Sequence, residues 1–298
     1  MQVSVTVVNN DETPEAPSLK STLASMPFDS RLIHEPMPGK SRALNSGIAA
    51  STADYLGFLD DDEELAADWF RIVEDALSGR SLDFIGGRTL PLGHRSIPGW
   101  VPPGYAAVLG LADAGPDAAT YGCGFSGILM GGNAVISREM LRQAGPYNTE
   151  LGPRVDRRLF SCEDEDMYWR LLEAGAVGRY LPHLIVYHHV HPERLRRSYY
   201  RAWCFWNGAS KGVLSRRRRS NVPEVAGVPR YVYGNAFRGV FTCLRAAIRG
   251  PAHRRMAGEL PIWHLAGRLY GRHLRRIGTP ELPPGLPPAA DSRIVAAL

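Results

Sequence analysis

The chain of 298 residues has room for about two domains, or for one α/β domain carrying a long appendage. Hydrophobic residues make up 44% and charged residues 22%, globular proportions that exclude wholesale disorder. The net charge of +5 conceals a partition: residues 1–190 carry 15 Lys and Arg against 25 Asp and Glu, a balance of −10, while residues 191–298 carry 20 against 5, a balance of +15. An acidic body precedes a strongly basic tail, and the two parts are expected to face different partners. The four cysteines, Cys123, Cys162, Cys204 and Cys243, form no CxxC pair. That excludes a zinc knuckle and a dithiol redox motif, and it reads as reduced thiols of a cytosolic protein. The opening MQVSVTVVNNDE lacks the basic and apolar regions of a signal peptide. Nowhere do about 18 apolar residues run uninterrupted as a membrane span requires.

In chain order, Val3, Val5 and Val7 alternate with Ser4 and Thr6 and stop at Asn9-Asn10-Asp11, a short strand ending in turn chemistry. A second short strand is expected at Arg31–Glu35, closed by Pro36, Pro38 and Gly39, and a helix over Lys40–Ala53. Tyr55–Leu59 is a compact apolar strand running straight into Asp60-Asp61-Asp62-Glu63-Glu64. A helix follows with Trp69, Ile72, Val73, Ala76 and Leu77 on one stripe, then a brief strand at Asp83–Gly86. Residues 89–121 hold five prolines and five glycines and read as a long functional loop. Regularity returns as a strand at Asn133–Ile136, helices at Arg138–Ala144 and Glu165–Ala174, and a strand at Leu184–Val190. Strands alternating with helices at this spacing predict an α/β layered domain with a mostly parallel sheet.

The tail starts near Pro192. Arg216–Arg219 reads as an exposed loop, and helices are predicted over 231–249 and 262–276. In the first, Phe237, Phe241, Leu244 and Ile248 share one face beside Arg238, Arg245 and Arg249; the second gathers Arg268, Arg272 and Arg275. Basic amphipathic helices have the composition of a surface lying on anionic lipid, or of a helical cap with solvated arginines. The division expected is a body over 1–210, a basic helical extension over 211–278 and a flexible Pro-rich tail over 279–298.

Carboxylates at the carboxyl end of a buried strand stand where α/β sheets bind ligands. Asp60 and Asp62, one residue apart, can share a hard divalent cation such as Mg²⁺ or Mn²⁺. Glu63 and Glu64 are accounted for by decoration of a helix N-terminus, whose dipole stabilises anions. Glu163-Asp164-Glu165-Asp166 precedes a second amphipathic helix and can supply a cap or a general base. His188, His189 and His191 follow the last strand, and beside a metal site they gain weight as ligands over packed core histidines. Gly122–Gly127 matches G-x-G-x-x-G, but it follows a Pro/Gly-rich loop and opens no helix, so the dinucleotide reading is set aside.

These pieces, in this order, resemble the family-2 nucleotide-sugar glycosyltransferases of the GT-A fold. Pro38–Gly47 resembles the PGxxxARNxG segment, and Phe58–Asp62 the DxD strand end. Gly131-Gly132-Asn133-Ala134 with Arg138 and Gly145–Asn148 resembles the GGN-A stretch. Glu163–Met167 with Arg170-Leu171 resembles ED-x-D-L-x-x-RL, and Leu181–His188 the closing P-x-x-x-V-x-H strand. The resemblance covers roughly residues 3–210. It implies a Rossmann-like sheet, Asp164 as general base, Asp60 at the nucleotide or its metal, Asp62 on a Mn²⁺ or Mg²⁺ bridging the diphosphate, and His188 adding to that contact. Lys40 and Arg42 are implied helpers at the nucleotide. Asn9, Asp11, Asn45, Asp61, Gly132, Asn133 and Glu163 complete the implied donor site. The implied reaction is inverting transfer from a nucleoside-diphosphate sugar to a glycan or lipid-linked acceptor in surface polysaccharide synthesis. The enzyme would sit in the cytoplasm at the inner face of the membrane, with no nucleic acid partner.

Family members usually open with a further strand and helix, whereas Met1 lies directly at what resembles their second strand. The absent strand would be internal, so two neighbours are expected to show unpaired edges; a start codon assigned too late and a weakened binder both account for this. A metal-dependent phosphohydrolase also places DxD after a strand, but Glu63-Glu64-Leu65 lacks the Thr or Val it wants. A non-catalytic membrane- or nucleic-acid-binding module is the other reading of the arginine tail.

Overall fold

Valine and threonine alternation extends the first segment as β1 (Ser4–Asn9), which continues through α1 (Pro17–Ala24), β2 (Asp29–His34) and α2 (Lys40–Ala50). There follow β3 (Tyr55–Asp60), β4 (Glu63–Leu65), α3 (Trp69–Leu77), β5 (Phe84–Pro91), β6 (Ala119–Thr120), β7 (Ala134–Ser137) and α4 (Arg138–Ala144). The body closes with α5 (Glu163–Glu173) and β8 (Gly178–His188), and the tail comprises α6 (Arg197–Leu214), β9 (Glu224–Val225), β10 (Val228–Pro229), α7 (Arg230–Arg249), α8 (Ala252–His273) and β11 (Ile294–Ala297). This is a computed structural model that describes residues 2–11, 13, 17–79, 81–93, 97–122, 124–153, 159–216, 222–273 and 294–297. Cys123, Arg217–Arg219, Arg275 and residues 279–293 of the Pro-rich stretch lie outside them.

Nine strands form one mixed sheet in the order β2-β1-β11-β3-β7-β5-β8-β4, with β6 also on β8. The five longest strands, β1, β2, β3, β5 and β8, run in one direction, and the shorter ones run antiparallel among them. Period-2 alternation sorts the side chains onto two faces. Phe84 and Ile136 join Phe58, Met167 and Tyr168 under α5, whereas their neighbours Ile85 and Val135 join Trp69, Val73 and Leu184 under α3. Helices therefore cover both faces, as an α/β sheet requires.

Several expectations are corrected. Glu63 and Glu64 do not decorate a helix N-terminus. They belong to β4, which pairs Glu63 with His188, and α3 begins only at Trp69. The stretch 89–121 is not all loop, because β5 runs on to Pro91 and β6 pairs with β8. β8 starts six residues earlier than its apolar core suggested. The edges expected to stand unpaired are filled: β11 runs antiparallel between β1 and β3, with Val8 opposite Val295 and Leu59 opposite Ala296.

The boundary expected after residue 210 falls inside α6. α8 packs on α6 so closely that a Cβ on Gly267 or Gly271 would overlap the carbonyl oxygens of Phe205 and Ala209. Tyr270 of α8 stacks against both Phe205 and Trp206. Among the described residues no helix is long and apolar enough to cross a membrane.

Candidate active site

The site grows from the end of β3. The apolar strand ends at Asp60, whose backbone N–H donates to Glu63 Oε2 at 3.0 Å and whose Oδ2 accepts from Lys40 Nζ at 2.6 Å. Lys40 is the first residue of α2, behind Gly39 at φ 133°, a left-handed backbone that glycine adopts without strain. Opposite stands the N-terminus of α5, introduced by Cys162 at φ 72°, an uncommon conformation for a residue with a Cβ. That turn aims Glu163 and Asp164 inward. Their neighbours Glu165 and Asp166 turn away and pair with Lys211 and Arg170, each at 2.9 Å. Glu163 Oε1 lies 3.9 Å from Lys40 Nζ.

Four carboxylates, those of Asp60, Glu63, Glu163 and Asp164, thus share one ammonium. Burial alone would lower the Lys40 pKa, but Asp60, Asp164 and Glu163 together hold it well above the usual lysine range. Burial and then Asp60's charge push Glu63 up, and burial with Asp164's charge does the same to Glu163. Asp164 is also raised, by burial first and by Asp60, against the opposing pull of Lys40 and a hydrogen bond from the Gly131 N–H. Glu163 Oε2 and Asp164 Oδ1 are buried and have no hydrogen-bond partner among the described residues. Buried acceptors left open in this way are what an incoming donor group satisfies.

The pair Gly131-Gly132 makes room for two of these acids. A Cβ on Gly131 would overlap the Asp164 carboxylate, and one on Gly132 the Glu63 carboxylate. Gly132→Ala is therefore expected to displace Glu63 and cost about 1–3 kcal/mol, the usual penalty for overpacking. Thermal unfolding of the variant checks this, and an unchanged melting temperature would contradict the packing.

A second cluster lies around Asp62. Its Oδ2 stands 3.0 Å from Arg194 Nη2, 3.2 Å from His188 Nε2 and 4.0 Å from His191 Nε2. Burial would raise this acid, but the hydrogen bond and charge of His188, with Arg194, hold it down at about 2. Pairing of β4 with β8 brings the residues together, since the His189 N–H donates to the Asp62 carbonyl at 2.7 Å. Of the three histidines, His188 is buried on the Asp62 side, while His189 packs its ring on His191 at 4.8 Å. Sequence reasoning missed Glu63 and Arg194. Glu63 had its signal in standing next to the aspartates, whereas Arg194 had none.

Other expected residues have structural partners. Asn45 receives the Tyr147 N–H at 2.7 Å and donates to the Tyr147 carbonyl at 2.9 Å, fixing the 145–148 turn. Asn133 is fully buried, accepts from Trp69 Nε1 and donates to the carbonyls of Arg88 and Leu184, all at 2.9 Å. Asn9 closes its own turn, accepting from the Asp11 N–H and donating to Thr13. Arg42 is half-buried on α2, and Asp61 is exposed beside Asp60. A cleft of about 990 Å³ runs along the outer flank of α5, lined by Tyr147, Asp166, Trp169, Arg170, Lys211 and Tyr231. Asp60, Asp62 and Asp164 do not line it.

The donor chemistry fits a divalent cation of the Mg²⁺ or Mn²⁺ type. Such an ion takes one or two protein carboxylates and completes its shell with phosphate oxygens; Asp60 and Asp62 are carboxylates of that kind, engaged here by Lys40 and by Arg194 with His188. Among the described residues no group of three His, Cys, Asp or Glu side chains is placed to hold a metal ion.

A mixed α/β sheet gathers acids at the end of β3 and the start of α5, the layout that the GT-A resemblance implies. The model of glycosyl transferase family 2 matches residues 2–144 of the chain. It is 28% identical over 217 residues to the succinoglycan biosynthesis protein ExoM of Rhizobium meliloti, covering 72% of this chain and 65% of that protein. It is 27% identical over 199 residues to the pre-mycofactocin glycosyltransferase of Mycobacterium tuberculosis, covering 66% of this chain and 40% of the relative. The chain thus spans less than two thirds of either relative. Among solved structures it is similar to S. aureus TarS 1-349 in complex with UDP-GlcNAc, at a TM-score of 0.44, 12% identity and coverage of 85% and 80%. GalNAc-T7 with UDP, GalNAc and Mn²⁺ gives a TM-score of 0.45 and 14% identity, with 72% of this chain and 45% of that chain covered.

Proposed function

We propose that the protein is an inverting, metal-dependent glycosyltransferase that moves a sugar from a nucleoside-diphosphate donor to a hydroxyl of a glycan or lipid-linked acceptor. The observation that carries this is the open Asp164 oxygen, held beside Lys40 and Asp60 with its proton affinity raised. A general base must reach the proton it takes and bind it well enough to hold it. In the proposed step the acceptor oxygen attacks the anomeric carbon and its proton passes to Asp164. The bond from that carbon to the diphosphate oxygen breaks, and the nucleoside diphosphate leaves with the electron pair. Lys40, Arg42 and Asp61 face the donor, and Glu163 holds a sugar hydroxyl. Asp60, Asp62 and His188 would hold the Mn²⁺ or Mg²⁺ whose chemistry there is to neutralise the diphosphate. The family-2 match over residues 2–144 and the similarity to a succinoglycan biosynthesis protein support the reading of a role in surface polysaccharide synthesis, which we place at the inner face of the cell membrane.

The test is a panel of nucleoside-diphosphate sugars with Mn²⁺, read by thermal stabilisation and by release of nucleoside diphosphate. One sugar class is expected to stabilise the chain and turn over, and a panel with neither response overturns the proposal. Transfer should also fall on acidification. Because burial and Asp60 raise Asp164 above its ordinary value, the base form is lost at a higher pH than for an exposed aspartate. A pH–rate profile flat down through the ordinary carboxylate range would contradict the assignment.

A further inference from the structure

Helix α7 is built inside out. Its small residues face the protein: Val232, Ala236, Gly239 and Ala246 are buried. Gly239 lies against Gly258 of α8 so tightly that a Cβ on either would strike the other's carbonyl oxygen. Its large apolar residues face outward, with Phe237 at 65%, Phe241 at 51%, Leu244 at 59% and Ile248 at 80% exposure. At 100° per residue these four fall within one narrow stripe, nearly opposite the buried face. Phe237 and Phe241 touch only edge to face, at 4.8 Å, while still exposed. A folded soluble surface seldom keeps such a run in water.

Charge identifies the occupant. Between Glu224 and Glu259 the chain has six arginines and no carboxylate. Arg238 and Arg245 are exposed on the flank of the stripe, and Arg254 is exposed at the start of α8, where Arg255 pairs with Glu259 at 3.4 Å. A second copy docked on the stripe about a two-fold axis would bring Arg238 and Arg245 onto their own copies, with no carboxylate on α7 to answer them. An anionic lipid surface answers both features, since the stripe enters the acyl boundary while arginine heads remain at the phosphates.

We infer that the outer face of α7, centred on Phe237, Phe241, Leu244 and Ile248 and flanked by Arg238 and Arg245, is an in-plane docking surface for an anionic membrane. This deepens the membrane placement in the proposed function, yet it stands on observations independent of the transferase chemistry.

The experiment is flotation of the full chain with vesicles of phosphatidylcholine, with and without phosphatidylglycerol. Binding is expected only with phosphatidylglycerol and is expected to weaken at high salt. A variant carrying Phe237→Ser, Phe241→Ser, Leu244→Ser and Ile248→Ser should lose binding on the order of tenfold or more. Its melting temperature should hold, because the altered side chains are exposed. Undiminished binding by this variant, or equal binding to neutral vesicles, overturns the inference. So does a wild-type dimer that the variant converts to monomer without vesicle binding, which would make the face a self-interface. Donor-induced stabilisation, measured on the same variant, separates failure of the dock from failure of the transferase reading. As a second arm, Arg238→Ser with Arg245→Ser should weaken binding while leaving the apolar stripe intact; no effect of this change would overturn the role given to charge.

Discussion

Replacing Asp164 with Asn is expected to reduce transfer roughly 10²–10⁴-fold, the usual contribution of a positioned general base, with donor binding nearly unchanged. The amide keeps the carboxylate's shape and can still accept from the Gly131 N–H, but it cannot take a proton. The stability effect should have the opposite sign. An acid whose proton affinity is raised by folding destabilises the native state at neutral pH, where it must ionise. Removing that charge from beside Asp60 and Glu163 should therefore hold or raise the melting temperature. Nucleoside diphosphate release gives the first readout and calorimetric donor binding the second. Turnover near the wild-type rate would sink the assignment, and loss of donor binding would move Asp164 from base to binding residue.

Asn133→Ala should produce the largest loss of stability from a single change at this site. Its buried amide serves three partners at once: the Trp69 indole N–H and the carbonyls of Arg88 and Leu184. Truncation strands all three, at about 1–3 kcal/mol for each buried group left unpaired. A total of about 3 kcal/mol or more should lower the melting temperature by roughly 6–12 °C in a chain of this size. A shift within roughly one degree would show that Asn133 does not join the sheet to α3. The hydrogen bonds make Asn133 a positioning residue, because they tie the backbone next to Gly132, against which Glu63 packs, to Trp69, β5 and β8.

Much of the sheet was legible because its strands are short apolar runs ended by charge or glycine, and β3 running into three aspartates is the clearest case. Asp60 and Asp62 stand out as strand-end acids for that reason, but their separate partners do not: one faces Lys40 and the other Arg194. That division depends on β4, whose three residues carry no periodicity and whose partner β8 lies more than a hundred residues away. Arg194 was invisible for the same reason, since its contact with Asp62 spans 132 residues. Motif matching identified Asn45 and Asn133 but not the direction in which their amides point. Helix α6 escaped notice because Tyr200, Cys204 and Trp206 are buried together with Ala202 and Ala209. A helix covered on several sides shows no polar stripe to give its period away.

The glycine seam between α6 and α8 has a mechanical consequence. Carbonyl-to-glycine packing at Phe205–Gly267 and Ala209–Gly271 leaves no room for one helix to slide on the other. The hairpin of α7 and α8 is thus a rigid outrigger and not a tether. A tether would confer only proximity, letting the catalytic face tumble through all orientations. An outrigger resting on a plane fixes tilt and height together, so one lost rotational freedom serves every encounter that follows. Deleting the hairpin would also strip the cover from Phe205 and Trp206. Shortening the chain near Gly212 is therefore expected to unfold part of the body as well as release it.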